Sequence, residues 1–196
     1  MRIGIHTSIA GSLEKSALKA AELGANTFQI FSASPRMWRA SMPRKDEIAA
    51  FRRARERLDL RPLAIHANYL INLASLDQVI REKSIDGFRR ELERAEAIGA
   101  EYLITHPGSY KGQPLEQAIA AFVLGLAEAA GRHATSGVAV LIENTAGSGF
   151  HIGCRLEELR LIHDLAARET DLAIGYCMDT CHLLAAGFDI NSIATS

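Results

Sequence analysis

Apolar residues arrive in six short runs, each followed by a longer stretch in which apolar positions recur every three or four residues. The runs are Ile3-Gly4-Ile5-His6, Thr27-Phe28-Gln29-Ile30-Phe31, Leu63-Ala64-Ile65-His66, Tyr102-Leu103-Ile104-Thr105-His106, Val138 to Glu143 and Leu172 to Met178. Runs this short and apolar read as buried strands of a parallel sheet, and the periodic stretches read as helices covering it. Ile48, Phe51, Ala54 and Leu58 stripe the second helix, and Ile85, Phe88, Leu92, Ala95 and Ile98 stripe a long third one. Ser75-Leu76-Asp77-Gln78 fits a Ser-x-x-Gln capping box for that third helix, Gly99 suits its exit, and Pro114 suits the first position of the fourth.

A strand-helix alternation without hairpin signals predicts a parallel sheet with helices outside it. What the runs end in then decides between an open and a closed sheet. Run three ends in His66, run four in His106, run five in Glu143 and run six in Asp179, with His182 on the turn that follows. Core packing has no use for charged groups at such positions. A closed (β/α)8 barrel lets every strand deliver a side chain to one mouth, whereas an open doubly wound sheet gathers ligands at one switch point. The pattern therefore predicts a TIM barrel. The runs recur about every 35 residues, so eight units need roughly 280 residues; residues 1–196 are expected to form one domain with about six of the eight units, incomplete at the C-terminus.

Imidazole and carboxylate ligands suit a hydrolytic zinc or manganese centre better than a structural, cysteine-rich one. Glu143 has the chemistry to bridge two ions about 3.5–4 Å apart and is the candidate catalytic residue. Cys177 shares a strand face with Asp179 and reads as core. His133 and His163 read as solvent-side helix residues, and His151 lies within reach of the mouth. The loop from Ser32 to Pro43 is long and unusually equipped, carrying Arg36, Met37, Trp38 and Arg39.

Overall charge adds little: 22 basic and 23 acidic residues give a net charge of −1, so no global basic field points to nucleic acid. Locally, residues 36–61 hold nine basic against four acidic residues, a pattern that fits a solvated helix face or a phosphate-facing patch. Three cysteines without a repeated short spacing fit a reducing compartment such as the cytoplasm. No window offers the roughly 18 consecutive apolar residues of a membrane span.

His66-Ala67-Asn68-Tyr69-Leu70-Ile71-Asn72-Leu73-Ala74 and Gly175-Tyr176-Cys177-Met178-Asp179-Thr180-Cys181-His182 resemble two signatures of endonuclease IV, the zinc-dependent apurinic/apyrimidinic endonuclease family. His106-Pro107-Gly108-Ser109 and Glu143-Asn144-Thr145-Ala146-Gly147 resemble further blocks of it, so the likeness runs from Ile3 onward. Tyr176 and the Ser34-Pro35 pair depart from the family pattern. The resemblance implies a xylose-isomerase-like TIM barrel with three zinc ions that hydrolyses double-stranded DNA 5′ to an abasic site, leaving a 3′-hydroxyl and a 5′-deoxyribose phosphate. It implies that His66 and His106 hold one zinc, that Glu143 bridges to a second shared with Asp179, and that His182 serves the third. It assigns DNA contacts to Arg36, Tyr69 and Leu70, with Trp38 on the same rim, in a monomeric DNA-repair enzyme. The family's third signature and its last glutamate ligand are expected beyond Ser196, so this chain is expected to hold fewer than three zincs. Two other readings stay open: a divalent-metal sugar isomerase or epimerase on the same barrel, and an inactive fragment that binds DNA or nothing.

Overall fold

A computed structural model of the chain describes residues 1–131, 133 and 137–190. Six strands, β1 (Gly4–His6), β2 (Thr27–Phe31), β3 (Leu63–His66), β4 (Tyr102–Thr105), β5 (Ala139–Glu143) and β6 (Ile174–Cys177), alternate with six helices. These are α1 (Leu13–Glu22), α2 (Lys45–Arg57), α3 (Gln78–Ile98), α4 (Leu115–Ala130), α5 (Leu156–Glu169) and α6 (Thr180–Ala185). All neighbouring strands pair in parallel, in the order β1-β2-β3-β4-β5-β6. A doubly wound sheet reverses its strand order part-way, and this one does not; the chain winds one way around, as in a barrel.

The core lies between sheet and helices. Phe28, Ile30, Leu63, Ile65, Leu103, Val140 and Ile142 from the strands meet Phe51, Phe88 and Phe122 from the helices, all almost wholly buried. Each such side chain contributes roughly 1.5–3 kcal/mol. Neighbouring helices also pack on one another, α1 on α2, α3 on α4 and α4 on α5. Two cap readings need correction: Pro114 is the N-cap of α4, one position before its first residue Leu115, and the cap of α3 is shifted. Asp77, not Ser75, caps α3, accepting from Ile80 N at 3.0 Å; Ser75 sits in a turn with its amide bonded to Asn72 O. Gly99 ends α3 at a φ of 75°, where a side chain would be strained.

The helices run back against the strands, which splits the basic segment of residues 36–61. Arg55, near the end of α2, reaches the Glu101 carboxylate at 2.7 Å and the carbonyls of Leu60 and Gly99, and Arg52 donates to Glu96 O. These partners lie at the end of the sheet opposite the strand C-termini. That part of the segment braces the base of the fold, and Arg36, Arg39 and Arg44 stay on the loop between β2 and α2.

Candidate metal centre and the loops around it

Every strand from β3 to β6 surrenders its last side chain, or one just beyond, to the same end of the sheet. Glu143 closes β5 and sits in the middle. Its Oε2 lies 3.2 Å from His66 Nε2, and its Oε1 lies 3.5 Å from His106 Nε2 and 3.4 Å from His182 Nδ1. Two groups of metal-ligand type result, His66-His106-Glu143 and Glu143-Asp179-His182, each with its ligand atoms within 4.8 Å of one another. Glu143 belongs to both. The geometry groups His182 with Glu143 and Asp179 rather than apart from them. Asp179 has a second duty, because its Oδ1 accepts from His182 N as the cap of α6 while Oδ2 turns toward the His182 ring.

Burial opposes ionisation of Glu143, but the imidazoles of His106 and His66 more than offset it and take its carboxyl down to about 2. For His66, burial disfavours the charged ring while Glu143 and the Ala67 carbonyl favour it, and the net effect is upward. The His66 Nδ1 bond to Ala67 O, at 2.8 Å, leaves Nε2 facing Glu143. His182 differs: its Nδ1, the nitrogen 3.4 Å from Glu143, is also the one bonded to Asn144 O at 2.9 Å, which leaves its Nε2 free of that carbonyl. Fixing one ring nitrogen on a carbonyl is how proteins aim the other at a metal. His106 Nε2 is one of two buried side-chain N or O atoms among the described residues without a hydrogen-bond partner, the other being Thr7 Oγ1. An imidazole nitrogen aimed at a buried carboxylate and bonded to nothing fits a metal ligand.

Cys177, half-buried, lines the axial cavity with Glu143 and Asp179. Its thiol is pushed up to about 11 by burial and by those two carboxylates, so it stays protonated; it lines the axis but is not part of the buried core expected of it. His6 ends β1 in the same pattern but joins neither group, since its Nδ1 is bonded to the Gln29 amide at 2.9 Å. His133 is a correction: it is 7% exposed and tied to Glu96 at 2.8 Å, not solvent-side. His163 is half-buried against the Tyr176 ring of β6.

The mouth loops are stitched to one another, mostly by asparagines. Asn68 joins the loops after β3 and β2 by donating to Met37 O, and Tyr69 N adds a bond to Pro35 O. Asn72 joins the loops after β3 and β4, accepting from Ser109 N at 3.1 Å. Ser109 pairs with His151, flanked by Tyr110 N to Phe150 O and Ile152 N to Gly108 O, which joins the loops after β4 and β5. Asn144 closes the series: its Oδ1 accepts from Asp179 N at 2.6 Å and its Nδ2 donates to Asp179 O at 3.1 Å. None of these stitches stood out in the sequence, although Asn144 directly follows Glu143.

The stitches frame a cavity lined by His66, His106, His182, Tyr69, Ser109 and His151, so His151 does reach the mouth. Gly108 is essential to its wall. It has a φ of 93°, and a Cβ there would collide with Asn72 Oδ1. Gly108→Ala is expected to cost about 2–4 kcal/mol, from backbone strain plus the lost Asn72 bonds; urea unfolding within 1 kcal/mol of the parent would contradict it.

Of the residues expected to meet DNA, Arg36 is exposed and Tyr69 is 57% exposed, with its ring against Phe31 and His66 at 5.2 and 5.4 Å. Leu70 is half-buried beside it. Trp38 is half-buried and lies over Gly87 of α3, 3.9 Å from where a Cβ would stand. Its place is thus the flank of the loop rather than the tip.

The sequence pattern of the xylose isomerase-like TIM barrel family matches residues 17–195. The chain belongs to that family. Within it, the chain is a homologue of endonuclease 4. A probable endonuclease 4 of Solibacter usitatus is 64% identical over 97% of this chain and 66% of its own length. One from Halothermothrix orenii is 38% identical over 97% of this chain and 67% of its own. The chain thus spans about two thirds of the length of these relatives. Among solved structures, endonuclease IV from Thermus thermophilus superposes with a TM-score of 0.79 at 38% identity, over 95% of this chain and 65% of that one. A D-psicose 3-epimerase superposes with a TM-score of 0.75 at 18% identity, over 96% of this chain and 67% of that one, a likeness of fold alone.

Proposed function

We propose that the chain carries the metal-binding and lesion-reading part of a zinc-dependent DNA-repair endonuclease that cuts double-stranded DNA 5′ to an abasic site, leaving a 3′-hydroxyl and a 5′-deoxyribose phosphate. The observation that carries this reading is Glu143 shared between two ligand groups at the strand ends, in a chain that is 64% identical to a probable endonuclease 4. His66, His106 and Glu143 would hold one zinc, and Glu143, Asp179 and His182 another. Zinc in such a pair acidifies water and neutralises charge on a phosphodiester.

The protein's own groups do the rest. Glu143 stays ionised in the mouth, its carboxyl near 2, and so offers a negative charge to both ligand groups. The carbonyls of Ala67 and Asn144 hold His66 and His182 in orientation. Tyr69 and Leu70, on the loop after β3, and Arg36, on the loop after β2, would enter the base stack where a base is missing, which is where unstacking costs least. Trp38 would buttress that loop and reach DNA only at its edge. The working protein is taken to be a monomer in the cytoplasm, where its free cysteines stay reduced. Among the described residues no helix is long and apolar enough to cross a membrane.

The test is incision of a duplex with one abasic site, by residues 1–196 alone and fused to the remaining third of the Solibacter relative. The fusion is expected to bind three zincs and to incise, and the chain alone to bind fewer and incise weakly. A fusion that leaves the abasic duplex intact but epimerises a ketose would move the assignment to the sugar enzymes of this fold. Tyr69→Ala in the fusion is expected to lower preference for abasic over intact duplex by roughly tenfold while general DNA affinity falls much less, because wedges specify and phosphate contacts hold. Equal losses on both duplexes would remove Tyr69 from the wedge role.

A further inference from the structure

Behind the mouth, three polar side chains close a ring inside the core. Glu91 and Arg94 stand three residues apart on α3 and are 3% and 4% exposed; Ser32, the first residue after β2, is buried with them. Arg94 Nη2 meets Glu91 Oε1 at 2.9 Å, Arg94 Nε donates to Ser32 Oγ at 2.7 Å, and Ser32 Oγ donates to Glu91 Oε2 at 2.5 Å. None of their side-chain atoms is among the buried N and O atoms left without a partner. A buried ion pair of this kind seldom stabilises a fold more than well-packed apolar side chains would. What it does supply is direction, since charge-assisted bonds hold their partner in one geometry.

The partner it holds is the root of the loop at residues 32–44. Phe31, just before Ser32, packs its ring against His66 at 5.5 Å and Tyr69 at 5.2 Å. Just after Ser32, Pro35 O accepts from Tyr69 N, and Met37 O accepts from Asn68. Gly87, one turn before Glu91 on α3, is where Trp38 rests. One helix face therefore meets the loop at its root and again at Trp38. We infer that Glu91 and Arg94 are positioning residues, which through Ser32 set where the loops bearing Arg36 and Tyr69 stand over the metal centre. As it concerns DNA, this inference rests on the function proposed above.

Trp38 is the single tryptophan of the chain, so its fluorescence reports the loop without any DNA or metal. The decisive variant is the double replacement Glu91→Leu with Arg94→Met, made in residues 1–196 and in the fusion. It is expected to fold, with a melting temperature at or above that of the parent. Trp38 quenching by acrylamide should rise about twofold as the loop loosens. Zinc stoichiometry should stay the same, and preference for abasic over intact duplex should fall about tenfold as two side chains must be ordered on binding. A stable double variant with unchanged Trp38 quenching would show the ring to be structural filling and overturn the inference. Should that variant not fold, Ser32→Ala severs the loop root while leaving the ion pair, and the same quenching change is expected; its absence is equally fatal. If the parent fusion shows no preference for abasic DNA, the proposed function fails, and the Trp38 measurement still decides the positioning role.

Discussion

Replacing Glu143 with glutamine is expected to weaken zinc binding at both groups at once, by about 100-fold or more, with little change in the fold. Glutamine has the volume of glutamate and keeps an oxygen to accept from His66, so the buried site at the end of β5 stays filled. What goes is the negative charge that lies within 3.5 Å of His66, His106 and His182. Altering residues that merely orient ligands costs 10–100-fold in metal affinity, so losing a shared charged ligand should exceed that range. Two single-group variants make the comparison sharp. His106→Ala should weaken one ion and Asp179→Asn the other, each leaving its neighbour's affinity nearly intact, because His106 and Asp179 belong to different groups. Calorimetric titration of the metal-free protein distinguishes the three. A Glu143→Gln protein that binds two zincs as tightly as its parent would dissolve the shared-ligand assignment, and with it the basis for hydrolysis at this site.

Asn144→Ala should cost about 2–4 kcal/mol of stability at the mouth. Asn144 is 1% exposed, and its amide satisfies both the N–H and the C=O of Asp179. Alanine leaves the Asp179 N–H without its partner, at about 1–3 kcal/mol, and takes one of two bonds from its C=O, which keeps Leu183 N, at about 0.5–1.5 kcal/mol. The melting temperature should fall by about 5–15 °C for a chain of this size. Metal affinity should drop 10–100-fold at the Asp179-His182 group alone, since the turn that presents both residues comes loose. Asn144→Asp keeps the oxygen that accepts from Asp179 N and forfeits the donor, and it should fall between alanine and the parent. An alanine variant that melts with the parent would show that the turn is set by α6 and not by the amide.

What could be read in the sequence and what could not divide along physical lines. Strands β2 to β6 are legible because a strand covered on both faces must be apolar along its length, and the meeting of the five candidate ligand residues because a barrel gathers every strand end at one mouth. The apolar runs overshoot the ladders at several ends: Ile3, 61% exposed, precedes β1, His106 follows β4, Val138 precedes β5, and Leu172, Ala173 and Met178 flank β6. Ser75 matched a capping pattern, yet Asp77 holds the cap, since both residues can accept and only the turn made by Asn72 decides between them. His133 looked solvent-side because its partners Glu93 and Glu96 stand on α3, far away along the chain. The same holds for Asn72, Asn144 and the Ser32-Glu91-Arg94 ring. Each links different βα units, and one sequence does not say which side chains from separate units will face each other.

The asparagine stitches also sort the mouth by how it takes added length. Surface loops ordinarily absorb insertions, since closing a longer loop costs little entropy. Here residues 68–72, 107–109 and 144–153 each hold a neighbouring loop, so an extra residue in any of them would shift two loops together and move His66, His106 or His182 off Glu143. Residues 40–43 make no such cross-loop bond among the described residues, and neither end of that segment bears a ligand. An added residue should therefore be tolerated best in the stretch between Trp38 and α2, outside the stitched ring. The loop can be remodelled there to suit the shape of what approaches the mouth, while the ligand set stays where it is.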